Sequence, residues 1–319
     1  MAVFDTKINS ANELLRIRSR KQSSDRQKRR LIGEKRSLPC QLVIEPTNHC
    51  NLHCVKCPTH QSGRKRGYLE LDLFRHIMKQ VAAVEERIEV ALSGAGEPTL
   101  HPLIVDLVKE ARLVNNVGVL GFATNAVALN PSLAHELLKA GLNRLKISLD
   151  TIDPNEFVKL TGRSVYDEVV YNIESFCKLN RQLGHPCRVT LKATILDIEG
   201  TAVNALREKW APWVDVVRIT PIHNWGGIHG KERMMSRIEP CPVIWDQIQI
   251  LWDGQITLCC MDSMEGSFNM GNAKTTDLIG YWKSNEELKK IRKLHLQGNF
   301  TSLPICASCD FDLYHDINP

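Results

Sequence analysis

The 319-residue chain is predicted to be an α/β protein: a partial, TIM-like (β/α)6 barrel followed by a small C-terminal domain with a β-hairpin and a helix. Three observations predict it. Short apolar runs alternate with longer amphipathic stretches from residue 40 to about residue 220. Residues able to do chemistry gather just after those runs. Beyond residue 221 the texture changes to loops, a hairpin signal and scattered cysteines. The corresponding divisions are residues 1–39 as an extension, 40–222 as the barrel and 223–319 as the C-terminal domain.

The apolar runs read as strands at Cys40–Glu45, Ile88–Ser93, Gly118–Thr124, Arg144–Leu149, Arg188–Ile195 and Val214–Thr220. Between them Leu73, Ile77, Val81 and Val84 form one helical stripe, and Leu103, Leu107, Ala111 and Val114 form another. Strands separated by helices pair in parallel through right-handed crossovers. Six such units fall short of a closed eightfold barrel. Farther on, Ile248–Trp252 and Gln255–Cys259 flank Asp253-Gly254, a two-residue hairpin signal, and Asn285–Leu296 has helical character.

Charge is unevenly spread. The net charge is +5, but residues 1–39 hold eleven Lys/Arg against four Asp/Glu, leaving the remainder near −2. The basic run Arg16–Arg36 reads as a solvated helical or partly disordered extension, or as a patch for a phosphorylated or acidic partner. No aromatic residue interleaves it, so a nucleic-acid partner is not expected. No apolar stretch reaches the ~18 residues of a membrane span, and the N-terminus lacks the apolar core of a secretion signal. Eleven cysteines in tight groups, rather than spread as pairs, point to metal in a reducing cytoplasm.

The first group, Cys50, Cys54 and Cys57, spells C-x3-C-x2-C directly after the first strand. A loop that short can give sulfur ligands to three irons of a [4Fe–4S] cubane and leave the fourth iron open. Ser93-Gly94-Ala95-Gly96-Glu97-Pro98 ends the second strand, Thr124-Asn125 the third, and Lys146-Ile147-Ser148-Leu149-Asp150 the fourth. The second group is Cys241, the Cys259-Cys260 pair, and Cys306-x2-Cys309. A C-x2-C pair joined to distant cysteines suits a second iron–sulfur cluster and also a structural zinc. Cys40, Cys177 and Cys187 read as small buried hydrophobes.

In this order and spacing, the segments resemble the radical S-adenosylmethionine (radical SAM) enzymes over most of the chain. The resemblance implies that a [4Fe–4S] cluster on Cys50, Cys54 and Cys57 binds S-adenosylmethionine. Gly94, Ala95, Gly96 and Glu97 would hold the cofactor's methionine end, and Asn125, Ser148 and Asp150 would complete its site. One position departs from the pattern: the residue before the third cysteine is usually aromatic and packs near the adenine, whereas here it is Lys56. The second cysteine group resembles a truncated SPASM, or twitch, module. That implies one auxiliary [4Fe–4S] cluster on Cys241, Cys259, Cys306 and Cys309, with Cys260 as the alternative to Cys259; a full SPASM module has more cysteines than this chain offers.

The activity implied is reductive cleavage of S-adenosylmethionine to a 5′-deoxyadenosyl radical, which abstracts hydrogen from the substrate. An auxiliary cluster without an open iron is left to accept electrons. That favours oxidation of an alcohol to a ketone on a sugar, aminocyclitol or phosphorylated small molecule, as in the single-auxiliary-cluster dehydrogenases. An external one-electron reductant such as flavodoxin or ferredoxin would serve it. The alternatives are a maturase acting on a peptide or protein side chain, and a redox-neutral epimerase or dehydratase. Lys146, Lys192 and Arg218 are the candidate substrate contacts on the later strands. Arg218 is the candidate for stabilising or removing the hydroxyl proton, and His223 is the chemically easier base.

Overall fold

The computed structural model describes residues 27–195, 201–228 and 239–310. Residues 1–26 of the predicted extension therefore lie outside the described residues, while residues 27–35 form a helix, α1. Six parallel strands follow: β1 (Gln41–Ile44), β2 (Ile88–Leu92), β3 (Val117–Thr124), β4 (Arg144–Ser148), β5 (Arg188–Ile195) and β6 (Val216–Pro221). They lie side by side in chain order, and each matches its predicted run to within two residues.

Helices α2 (Leu71–Ala82), α3 (Ile104–Arg112), α4 (Pro131–Lys139), α5 (Pro154–Thr161), α6 (Tyr166–Gln182) and α7 (Thr201–Trp210) link successive strands. The stripe on α2 buries Leu73, Phe74, Ile77, Met78 and Val81. Asn130 and Asp153 cap α4 and α5, each followed by proline at the first helical position, where its missing N–H costs nothing. On β4 and β5, Leu145, Ile147, Val189 and Leu191 are buried in the core with the helices. Strand alternation therefore turns Lys146, Ser148, Thr190 and Lys192 to the interior of the barrel.

The hairpin forms as predicted, with β7 (Gln247–Ile250) antiparallel to β8 (Ile256–Thr257) around Gly254, whose φ is 91°. Its placement was not predicted. β7 pairs in parallel with β1, from Gln41↔Gln247 to Ile44↔Ile250, so one eight-stranded sheet runs β6-β5-β4-β3-β2-β1-β7-β8. An unpaired β1 would expose a row of backbone donors and acceptors, and β7 satisfies them. Four further helices complete the region: α8 (Val243–Asp246), α9 (Leu278–Ser284), α10 (Glu286–Leu296) and α11 (Pro304–Ser308). The predicted Asn285 is the N-cap of α10, its side chain accepting from the Leu288 amide. α1 docks here too: the Trp282 indole donates to the Gly33 carbonyl at 3.1 Å, and Arg29 pairs with the buried Asp246. No helix among the described residues is long and apolar enough to cross a membrane.

Candidate active site

The loop carrying Cys50, Cys54 and Cys57 leaves β1 at the barrel mouth. Buried Asn48 clamps its ends: Nδ2 donates to the Lys65 carbonyl at 2.7 Å, and Oδ1 accepts from the Gly67 amide at 3.0 Å. The amides of His53 and Val55 donate to the carbonyls of Thr161 and Leu160, which fixes the loop on the end of α5. All three thiols are half-buried. Burial pushes Cys54 up to about 12, and the neighbouring Cys57 and Cys50 thiols add to the shift. Burial likewise raises Cys50. Thiols such as Cys50 and Cys54 that resist ionising in a partly dry site suit a cationic iron centre, which would stabilise them as thiolates.

A residue not singled out in the sequence organises this mouth. Glu45, just past β1, is fully buried. Its carboxylate accepts both arms of the Arg64 guanidinium, at 2.6 and 3.1 Å, together with the amides of Ala95 at 2.9 Å and Trp252 at 3.2 Å. Arg64 also donates to the Ser263 carbonyl at 2.6 Å. One carboxylate thus joins the cysteine loop, the β2 turn and the C-terminal region. Glycine is required beside it: a Cβ on Gly94 would lie 2.4 Å from Glu45 Cγ, and one on Gly96 2.4 Å from the carbonyl oxygens of Thr47 and His49. Ala95 also presents its carbonyl to the Thr59 hydroxyl at 2.6 Å.

Glu97 is buried, and its carboxylate is spent inside the protein. Oε1 accepts from the Thr99 amide and from the Thr99 and Thr124 hydroxyls, and Oε2 accepts from the Asn125 amide at 2.7 Å. Burial raises its pKa against these bonds. It locks the end of β2 to that of β3 as a positioning group. Asn125 donates to Asn51 Oδ1 at 2.8 Å and approaches Cys50 Sγ at 3.9 Å, so it braces the cysteine loop. Asp150 is engaged in the same way: it accepts from the Thr194 amide at 2.7 Å and pairs with Lys56. Lys56 donates further to the Thr194 carbonyl, and its own carbonyl accepts from the Trp225 indole at 2.7 Å. The unusual Lys56 therefore ties the cysteine loop to β4, β5 and the loop after β6. Ser148 remains exposed in the interior.

Below the mouth, Lys146, Lys192 and Arg218 line β4, β5 and β6, with Lys192 directly opposite Arg218 in register. Burial lowers the pKa of Lys192, and the charges of Lys146, Lys56 and Arg218 lower it further; Cys260 acts in the opposite sense. Partial desolvation lowers Lys146 as well, with the Glu89 carboxylate acting in the opposite sense. His223 lies two residues past β6. Its Nδ1 accepts from the Trp225 amide at 3.3 Å, and its ring meets that of Trp225 edge-on at 4.4 Å.

The second cysteine group converges. Cys241, Cys259, Cys260, Cys306 and Cys309 line one pocket together with His295, whose Nδ1 accepts from the Cys241 amide at 3.2 Å. Burial pushes Cys259 well above its ordinary value, with Cys260, Cys306 and Cys309 adding to it; Cys260 rises to about 12 through burial and Cys241. Buried Asp262 holds the connecting loop, accepting from the Thr257 hydroxyl and from the amides of Ser267 and Phe268.

Comparison with known proteins bears on this arrangement. The radical SAM superfamily profile matches residues 44–187, and that of the SPASM iron–sulfur cluster-binding domain matches residues 241–310. The chain belongs to the radical SAM superfamily. Its cofactors are accordingly [4Fe–4S] clusters and S-adenosylmethionine. It is 28% identical to GTP 3',8-cyclase of Clostridium acetobutylicum, over 63% of this chain and only 65% of that protein. The tungsten-containing aldehyde ferredoxin oxidoreductase cofactor-modifying protein of Pyrococcus furiosus is 22% identical, with 87% of this chain and 90% of that protein covered. In fold, it superposes on BtrN in complex with AdoMet and 2-DOIA with a TM-score of 0.59 at 17% identity, covering 86% of this chain and 93% of that one.

Proposed function

We propose that this radical SAM protein oxidises an alcohol to a ketone on a small hydroxylated molecule, of sugar or aminocyclitol type, held in the barrel interior. The observation that carries the reading is the interior's position between the two thiol groups. Lys56 of the first cysteine loop reaches across its mouth to Asp150 and accepts the Trp225 indole at its carbonyl, and the adjacent Gly226 lies against Ile305 and Met261, which line the pocket of the second group. Cys50, Cys54 and Cys57 would hold the first cluster, and four of Cys241, Cys259, Cys260, Cys306 and Cys309 a single auxiliary cluster of twitch type.

When bound, the first cluster with S-adenosylmethionine would supply removal of a hydrogen atom from carbon, and an auxiliary cluster would supply the electron acceptor. The protein's own groups do the rest. The Gly94-Ala95-Gly96 backbone, packed on Glu45 and followed by the anchored Glu97, would hold the methionine end. Asn125 and Ser148 are the remaining polar cofactor contacts. Arg218 stays cationic and stabilises the hydroxyl oxygen as its proton leaves. That proton passes to water, which reaches the interior at exposed Lys146 and Ser148. A C–H and an O–H bond break, a C=O bond forms, and the substrate loses two hydrogens.

The test is product mass and stoichiometry with reconstituted protein and a panel of polyols and their phosphate esters. Loss of two hydrogens with one S-adenosylmethionine consumed per product supports oxidation. Unchanged mass with solvent deuterium at carbon, or modification of a peptide instead, refutes it.

A further inference from the structure

We propose that Lys146, Lys192 and Arg218 form a binding site for a phosphate group carried by the substrate, so that the molecule oxidised is a phosphate ester. The inference rests on the barrel interior being the substrate chamber.

The three residues come from three consecutive strands and share one face. Their sequence neighbours Leu145, Ile147 and Leu191 are buried in the core behind the sheet, and Val217 and Ile219 pack partly against it. Lys192 stands opposite Arg218, and Lys146 opposite Thr190, two residues before Lys192. With strands ~4.8 Å apart, long side chains from these positions reach one common volume.

Among the described residues, none of the three makes an ion pair or a side-chain hydrogen bond. The acids nearby are committed elsewhere. Glu89 pairs with Arg144 at 2.8 Å and accepts from Gln41 at 2.7 Å, and Asp150 pairs with Lys56. Three cationic side chains therefore share one interior with no carboxylate paired to any of them; desolvation first, then the neighbouring cations, lowers Lys192, whereas Glu89 opposes the lowering of Lys146 by desolvation.

A cofactor with a single carboxylate, itself bearing an ammonium and a sulfonium, neutralises at most one of them. The remaining two match a phosphate monoester, with its charge of about −1.5 to −2 and three acceptor oxygens. A neutral polyol would leave at least two of the cations unpaired.

Calorimetric titration of cluster-loaded protein with S-adenosylmethionine present tests this, using ribose 5-phosphate and GTP as probes and ribose as the neutral control. The two phosphorylated probes separate a sugar phosphate from a nucleotide. At least one should bind where ribose does not. Lys192→Met should weaken it roughly 10-fold or more, as expected for a lost charge-assisted hydrogen bond. Lys192→Arg should keep most of the affinity, and S-adenosylmethionine binding should change less than phosphate binding. Lys146→Gln, at an exposed position, gives the same reading if Lys192→Met fails to load iron. The proposal is overturned if neither phosphorylated probe binds. It is equally overturned if the substitutions weaken the cofactor and spare the phosphate. Binding is read without turnover, so a failure here is distinct from finding a product other than a ketone.

Discussion

Replacing Glu45 with alanine tests whether one buried carboxylate holds the barrel mouth together. The change strands the mostly buried Arg64 guanidinium without its partner, a loss of about 3–5 kcal/mol for a broken buried pair. The amides of Ala95 and Trp252 also lose their acceptor, at about 1–3 kcal/mol each if they stay dry. These costs overlap, because water entering the vacated space serves several of them at once. The expected sum is about 5 kcal/mol, or roughly 5–10 °C in the thermal midpoint of a chain this size. Glu45→Gln keeps the shape and one acceptor and should lose about half as much. Removing the stranded cation as well, in Glu45→Ala with Arg64→Met, should recover part of the loss. Anaerobic thermal melts give the totals, and hydrogen exchange at the Ala95 and Trp252 amides gives the local effect. A Glu45→Ala protein within about 1 kcal/mol of the parent, with those amides still protected, would refute the reasoning.

Three other outcomes follow from the same geometry. Alanine at Cys50, Cys54 and Cys57 together should reduce iron from about eight to about four per chain and abolish S-adenosylmethionine cleavage, as read by iron analysis and chromatography. Gly96→Ala would drive a Cβ into the Thr47 and His49 carbonyls; we expect a loss of at least about 2 kcal/mol in urea unfolding and weaker S-adenosylmethionine binding, and unchanged values would contradict the close approach. Burial raises Asp246 to about 6 from 3.8, so the fold favours its protonated form. Its contribution is full below pH ~4 and is lost as pH rises through ~6, by at most about 3 kcal/mol. Urea titrations of apoprotein across that window should show a slope that Asp246→Asn flattens.

The strands were legible because each is an apolar run closed by chemistry or a turn, and Asp253-Gly254 marked its hairpin plainly. Where that hairpin attaches was not legible. Alternation reports that a strand exists and which face is buried, but not which edge it joins. The cysteine positions were likewise plain, whereas Glu45 was invisible: a lone acid after a strand looks the same whether it is solvated or buried against an arginine. Glu97 and Asp150 lie at the mouth as expected, yet their oxygens turn to Asn125, Thr194 and Lys56, a matter of side-chain direction that spacing does not encode. Lys56 stood out as a departure, and its reach to Asp150 supplies a reason for it. Sequence left Cys259 and Cys260 undivided, and the pocket takes in both.

The pairing of β7 with β1 has a consequence for biosynthesis. A ribosome releases Gln41–Ile44 some two hundred residues before the segment that will sit against it. Throughout that interval the nascent barrel has a sticky flank, open to any other extended peptide that drifts by. Chains cut short before residue 247 would keep that flank for good, and they should be recovered as aggregates or chaperone clients.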